Sequence, residues 1–245
     1  MAWYKQWFGE EYLELYAHRD EGEAERHVDF VASLFAGRPP RAALDLACGA
    51  GRHTAALRKR GYRALGVDLS LVLLAQPPPL PRVAGDMRCL PFAERAFDWV
   101  LNFFTSFGYF ESEEENFRVL AEIARVLEPG GRCLLDLMNL DATLAQLKEY
   151  ELREEEGQRR VEIRRWWDPQ QRRVNKRIRL AASDATQPGR EARTFLESVR
   201  AYTLDEVTMG LRWAGLEVVA TYGSFAGEAY GRDSERLILV GRRVH

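Results

Sequence analysis

The chain contains no apolar run approaching the ~20 residues needed to cross a bilayer. It also lacks a basic segment leading into an apolar stretch at its start, so no signal peptide and no membrane association are expected. Cysteine is sparse. The three thiols, Cys48, Cys89 and Cys133, have no metal-ligand spacing and cannot all pair, and each falls in or beside an expected core strand or turn. Reduced thiols, a cytoplasmic location and no metal site are the expectation. No charge dominates: 35 Lys/Arg stand against 37 Asp/Glu, a net charge of −2. Such a balance creates no global field to attract nucleic acid. With 245 residues, 46% hydrophobic and 29% charged, the composition suits one α/β domain carrying an insertion.

The most informative stretch is ALDLACGAGRHTAAL, Ala43 to Leu57. A short apolar run, Ala42 to Leu46, reads as a buried parallel strand. It crosses a glycine turn, Cys48 to Gly51, and enters a helical pattern from about His53. The strand ends on an acid, Asp45. A second run, Arg63 to Val67, also ends on an acid, Asp68, 23 residues further on. That gap is close to the roughly 20 that separate a nucleotide-binding turn from its ribose-binding carboxylate. Glycines admit close approach of the backbone, and a helix start offers unpaired N–H groups. A dinucleotide pattern would need a third glycine, where Thr54 stands. Asp45 would also repel a pyrophosphate and suits a ligand with a cationic end.

At these residues the chain resembles class I S-adenosylmethionine-dependent methyltransferases. LDLACGAG fits their first motif, GVDLS (Gly66 to Ser70) the second, and AGDMRCLPF (Ala84 to Phe92) the adenine-recognising segment. FDWVLNFFTSFGYF (Phe97 to Phe110) fits the fourth strand and the loop facing the cofactor, and LEPGGRCLLDLMN (Leu127 to Asn139) the fifth. The five pieces keep family order over roughly residues 40 to 140. The resemblance implies a doubly wound, mostly parallel seven-stranded α/β sheet of the Rossmann-like methyltransferase type. It implies cofactor contacts from Asp45, Ala47, Gly49 and Gly51 to the methionine part, from Asp68 and Leu69 to the ribose, from Asp86 and Met87 to adenine, and from Asn102. The cofactor is S-adenosylmethionine and the product S-adenosylhomocysteine.

Helices are expected over 3–18 and 22–36, the second stopped by Gly37 and Pro39-Pro40. Pro77 to Pro81 forbid a long helix after Asp68. Ser112 with Glu115, and Thr203 with Glu206, form capping boxes. After residue 149 the pattern changes. Val161, Ile163, Arg165 and Trp167 alternate with polar positions, Asp168 to Gln171 supplies a turn, and Val174 to Leu180 alternate again. This is a hairpin extended by a third strand, Arg193 to Tyr202, after a turn at Pro188-Gly189. The expected organisation is a helical lid over 1–40, a cofactor-binding core over 41–148, an antiparallel β insertion covering the substrate over 149–202, and a last helix with two strands over 203–245.

Residues 151–200 carry 13 Lys/Arg and 9 Asp/Glu, a net of +4. The charges alternate with acids along strands, as on a solvated face, and Trp166 and Trp167 point to opposite faces. A nucleic-acid surface is therefore disfavoured. A homodimer contact is the structural alternative for the insertion. Tyr4, Phe8, Tyr12 and Tyr16, spaced by four, place an aromatic stripe on one helical face. The expected acceptor pocket is bounded by Tyr12, Tyr16, Phe104, Ser106 and Tyr109. Of the four histidines, His18, His27, His53 and His245, only His53 lies in a motif, read as a cofactor-side or helix-start residue; no general base is assigned. The sequence N/D-P-P-Y/F is absent after the fourth strand and no Pro-Cys pair occurs, against amino-methylating DNA and glutamine enzymes and against cytosine-C5 chemistry. The leading expectation is methyl transfer to an oxygen or nitrogen of a small molecule by in-line displacement. An RNA or protein methyltransferase using the basic insertion, and a non-catalytic cofactor-binding protein, stay open; a nicotinamide dehydrogenase stands behind them.

Overall fold

The computed structural model describes residues 2–16, 21–34, 40–155, 159–182 and 192–244. Helices α1 (Trp3–Trp7) and α2 (Glu10–Leu15) precede a longer α3 (Glu21–Leu34). The single helix expected over 3–18 is thus two, because Gly9 is extended (φ −132°, ψ −154°) and turns the chain after Phe8. Residues 17–20 and 35–39, with the expected stop at Gly37 and Pro39, and the turn at Pro188-Gly189 lie outside the described residues.

Strands and helices then alternate: β1 (Ala43–Leu46), α4 (Arg52–Lys59), β2 (Ala64–Asp68), α5 (Leu71–Leu74), β3 (Arg82–Ala84), β4 (Phe97–Asn102), α6 (Glu113–Val126), β5 (Leu127–Met138) and α7 (Leu140–Ala145). The inserted strands are β6 (Tyr150–Glu155), β7 (Arg159–Asp168), β8 (Arg173–Ala182) and β9 (Arg193–Arg200). Helix α8 (Leu204–Trp213), β10 (Leu216–Tyr222) and β11 (Arg236–Arg243) finish the chain. One sheet has seven strands in the order β10-β11-β5-β4-β1-β2-β3, and the inserted four form a separate sheet. In the large sheet only β11 runs against its neighbours, so the architecture is doubly wound and mostly parallel. The chain leaves β1 towards β2 on one side and returns to β4 on the other. That reversal opens a crevice at the carboxyl ends of β1 and β4, where open α/β sheets hold ligands.

Alternating strand residues feed two cores. Leu44, Leu46, Val100 and Leu135 pack under α6 and α8 with Val119, Ile123, Val207 and Leu211. Ala43, Leu101, Leu134 and Ile238 face the opposite side, against Val28 and Val31 of α3 and Leu57 of α4. The two cores follow from the pleat, which sends successive side chains to opposite faces. Of the two expected capping boxes, Thr203 and Glu206 close theirs completely. Ser112 caps α6 by accepting from the Glu115 N–H at 3.2 Å, but the Glu115 carboxylate turns instead to Arg88.

Among the described residues the insertion has four strands, not three. Strand β6 pairs antiparallel with the outer side of β7. It is an edge strand with Tyr150 and Leu152 exposed, so it carries no alternating buried pattern to read. A third core joins the small sheet to the N-terminal helices: Val161, Ile163, Ile178, Leu180 and Phe195 enclose Trp7 and Leu15, with Trp3, Phe8, Tyr12 and Tyr16 around them. The aromatic stripe is thus an interface between the N-terminal helices and the insertion. No described helix is long and apolar enough to cross a membrane.

Candidate active site

β1 is buried throughout and delivers its chain end to a turn with left-handed residues, Ala47 (φ 60°) and Gly49 (φ 55°). Two more left-handed residues, Phe104 (φ 57°) and Thr105 (φ 55°), follow β4. Such conformations cost of order 1–3 kcal/mol each for residues other than glycine and persist where neighbours impose them. Asp136 of β5 is the neighbour here. Its Oδ2 accepts from the Phe104 N–H at 2.7 Å and its carbonyl from the Thr105 N–H at 2.9 Å. Arg236 of β11 donates to Asp136 Oδ1 at 2.7 Å and to Thr105 Oγ1 at 2.8 Å.

The two chain ends, the N-terminal helices and β9 surround one cavity of about 1020 Å³. One half is lined by Asp45, Ala47, Gly49, Asp68, Leu69, Asp86 and Met87. Asp45 is 1% exposed and accepts from Thr54 Oγ1 at 2.6 Å. Burial pushes its pKa up to about 7, against the lowering effect of the Thr54 bonds. Asp68 closes the β2 end, accepting from the Gly49 N–H at 2.7 Å and the Ser70 N–H at 2.8 Å. Burial raises its pKa in spite of those bonds. Asp86 is gripped by the Arg88 guanidinium through Nη2 at 2.6 Å and Nε at 3.0 Å; burial opposes its ionisation, but the Arg88 bonds prevail and lower the pKa. Burial, with Asp45 and Asp68 nearby, raises the Cys48 thiol, which therefore stays neutral as a small lining group.

Two expected cofactor residues stand outside the lining. A side chain at Gly51 (φ 86°) would place its Cβ 2.9 Å from Leu80 Cδ1 and 3.0 Å from Arg82 Cδ, so this glycine serves the turn's own packing. Asn102 is 1% exposed and donates from Nδ2 to the Leu46 carbonyl at 2.9 Å, tying β4 to β1 behind the turn. The single sequence signal, proximity to the motif, does not separate wall from support.

The other half of the cavity is lined by Tyr12, Tyr16, Phe104, Ser106 and Tyr109, brought together from two segments, α2 with its C-cap and the loop after β4. Arg193, Glu197 and Val199 of β9 line it too, as do Arg52 and His53. Glu197 accepts from Trp7 Nε1 at 2.6 Å and from the Tyr16 hydroxyl at 3.3 Å, and pairs with Lys176 at 3.4 Å. Ser70 donates to the Phe8 carbonyl at 2.6 Å, pinning the N-terminal helices to the Asp68 turn. The β9 residues lay in a strand whose sequence reads as ordinary alternation. Asp136 did leave a signal, a charge inside the apolar run LLDLM.

Residues 44–135 match the methyltransferase domain family. Over 226 residues, the chain is 32% identical to the cypemycin N-terminal methyltransferase of a Streptomyces species, covering 87% of this chain and 88% of that protein. This chain belongs to the class I S-adenosylmethionine-dependent methyltransferases. Its fold is shared with the CcbJ methyltransferase of Streptomyces caelestis (TM-score 0.75, 22% identity, 91% of this chain and 90% of that one). It is shared equally with S-adenosylmethionine-bound CalS10, an amino pentose methyltransferase from Micromonospora echinaspora (TM-score 0.69, 23% identity, 95% and 96%).

The methyltransferase's own residues fit that cofactor. Three carboxylates, Asp45, Asp68 and Asp86, ring its half of the cavity and suit a ligand with a sulfonium and an ammonium. A Cβ on Gly49 would have one neighbour, Leu73 Cδ1 at 3.7 Å, so the turn leaves space where a ligand backbone can lie.

Proposed function

We propose that the methyltransferase acts on a nitrogen of a small molecule or of a short peptide end, held in the half of the cavity away from Asp68. The observation that carries this reading is the continuity of the cavity: the carboxylate-ringed turn and the aromatic acceptor half are one space. Carboxylates of Glu10, Glu11 and Glu197, and the rings of Trp3, Phe8, Tyr12, Tyr16 and Tyr109, line that acceptor half and favour a cationic amine. One relative supports nitrogen over oxygen, the cypemycin N-terminal methyltransferase.

Asp68 is proposed to hold the ribose hydroxyls, Asp86 and Met87 the adenine, and Asp45 to lie under the methionine part. Bound there, the cofactor supplies a methyl carbon on a sulfonium, whose sulfur keeps the bonding electron pair. The protein's part is alignment and exclusion of water, and positioning of this kind accounts for several kcal/mol of a barrier. Lid helices and β9 supply that enclosure.

An RNA-docking role for the insertion has less support. Six of its described cations are paired: Arg165 and Arg153 with Glu151, Arg164 and Arg179 with Glu162, Lys176 with Glu197, Arg193 with Glu11. The cytoplasmic setting proposed for the enzyme rests on its free cysteines.

The test is a panel of aminosugars, peptide α-amines, phenols and alcohols, each offered with S-adenosylmethionine. One-methyl mass gains on amines alone are expected, with one cofactor site per chain by calorimetry. Turnover of hydroxyl acceptors and none of the amines would overturn the assignment to nitrogen.

A further inference from the structure

Two histidines from separate helices meet at the wall of the cavity. His53 is the second residue of α4, lines the cavity and is 5% exposed. His27, on α3, lies behind it and is half-buried. His27 Nδ1 and His53 Nε2 are 3.1 Å apart, within hydrogen-bond distance. The rings are nearly coplanar, inclined by 10° with centroids 5.4 Å apart, so the contact is edge to edge. Each imidazole is also stacked on a phenyl ring: His53 on Phe103 at 3.9 Å and 8°, His27 on Phe225 at 3.7 Å and 18°. Stacking on these two phenyl rings holds the orientation of the pair, and only one nitrogen of each ring is used in joining them.

We propose that His53 and His27 form a proton relay that takes the proton released by the amine acceptor from the cavity to solvent. This rests on the nitrogen-acceptor reading above. The tautomer it requires has the proton of each neutral ring on Nε2. His53 then donates through Nε2–H to His27 Nδ1, leaving His53 Nδ1 as an acceptor. An ammonium N–H bond breaks and its electron pair stays on nitrogen as the nucleophilic lone pair. The proton goes to His53 Nδ1, the His53 Nε2 proton passes to His27 Nδ1, and the His27 Nε2 proton leaves to water. Each ring ends neutral with its proton on Nδ1, and exchange with solvent resets it.

The surrounding charges suit a carrier that does not keep the proton. Burial, then His27 and Arg52, hold His53 well below the ordinary histidine pKa. Burial also lowers His27, where Asp136 and Glu23 favour the cation and Arg236 and Arg52 oppose it. Asp136 and Glu23 thus make His27 the better-supported end, and the end nearer water. Glu23 also pairs with Arg52 at 3.3 Å, beside the two rings. A proton on His53 is therefore handed outward.

The test joins a spectroscopic and a kinetic readout on the full chain. Long-range nitrogen–proton spectra of the imidazoles, recorded with saturating S-adenosylhomocysteine between about pH 5 and 9, are expected to show His53 neutral with its proton on Nε2. A His53 proton fixed on Nδ1 would overturn the relay, since no acceptor then faces the cavity. For kinetics, a tripeptide amide with a free α-amine and glucosamine serve as acceptors. His53→Asn is expected to lower kcat by about a hundredfold, the lower range for loss of a general base, with the cofactor Kd within about twofold of wild type. His27→Gln, at the half-buried end, is the check should His53→Asn fold poorly. It is expected to lower kcat about tenfold and make it rise with added imidazole buffer, as wild type does not. An unchanged kcat in a folded, cofactor-binding His27→Gln chain would overturn the relay. If wild type methylates neither amine, the acceptor reading fails instead, and the tautomer measurement still judges the pair.

Discussion

Arg173, on β8, donates from Nη1 to the carbonyl oxygen of Phe110 at 2.9 Å, fastening the inserted sheet to the loop that follows β4. The same guanidinium reaches the carbonyls of Gly108 and Tyr109, each at 3.2 Å, and the Ser198 carbonyl at 2.6 Å and hydroxyl at 2.8 Å. Arg173 is buried, and burial lowers its pKa from the usual arginine value. Gly108 completes the junction. It has φ 97°, and a Cβ there would stand 2.6 Å from the Arg200 carbonyl oxygen. The loop bearing Tyr109 is thus held by the insertion, whose β9 also lines the cavity.

Replacing Arg173 by methionine keeps the bulk and removes every donor. The buried carbonyls of Gly108, Tyr109 and Phe110 lose a charged partner, and the expected cost is about 2–3 kcal/mol of stability, read from urea melts. Acceptor KM should rise while the cofactor Kd is unchanged. An equal loss of cofactor affinity would show that the clamp does not act on the acceptor side alone.

Asp45 ties stability and cofactor binding to pH. Its folded pKa is pushed up to about 7, above the ~3.9 of an unfolded aspartate. Between those values the native state holds a proton that the unfolded state has lost. Stability from this group is therefore fully present below about pH 4 and is lost as pH rises towards 7. Asp45→Asn should flatten that slope in melts taken from pH 5 to 8. An unchanged slope would assign it to other groups.

The same carboxylate should respond to the cofactor's charge. A sulfonium nearby favours the ionised acid, so binding at pH 7 should expel up to about half a proton. Calorimetry in buffers of different ionisation enthalpy measures this directly. S-adenosylhomocysteine, lacking the sulfonium, should expel less, and Asp45→Asn should expel none. Equal release by both ligands would place Asp45 away from the sulfur.

Asp68→Ala removes the acceptor of the Gly49 and Ser70 N–H groups as well as the proposed ribose partner. Cofactor affinity should fall by about 1.5–3 kcal/mol, with the fold retained because β2 ends at the crevice. Asp68→Asn, which keeps one carbonyl oxygen, should lose less. A Kd unchanged in both variants would assign the ribose to another residue.

The sequence by itself determined the large sheet and the strand-end turns that carry its acids. Strand ends, glycines and acids there lie close in the chain, and local chemistry forces them together: an apolar run, a left-handed turn, a carboxylate. Asp45 and Asp68 could be named from strand ends and spacing, and Asp86 from the resemblance to the family. The tertiary structure decided what depends on contacts between distant segments. It split the N-terminal helix at Gly9, because Trp7 and Tyr16 both turn towards the inserted sheet, and it added β6 as an edge strand with no buried face to mark it. It moved Asn102 and Gly51 from the cavity wall to its support. It also put Glu197 and Arg193 of β9 into the acceptor half and set His27 against His53. None of those pairings has a spacing rule, since side chains from separate helices or sheets are brought together by packing of their apolar faces, and their polar partners follow from that packing.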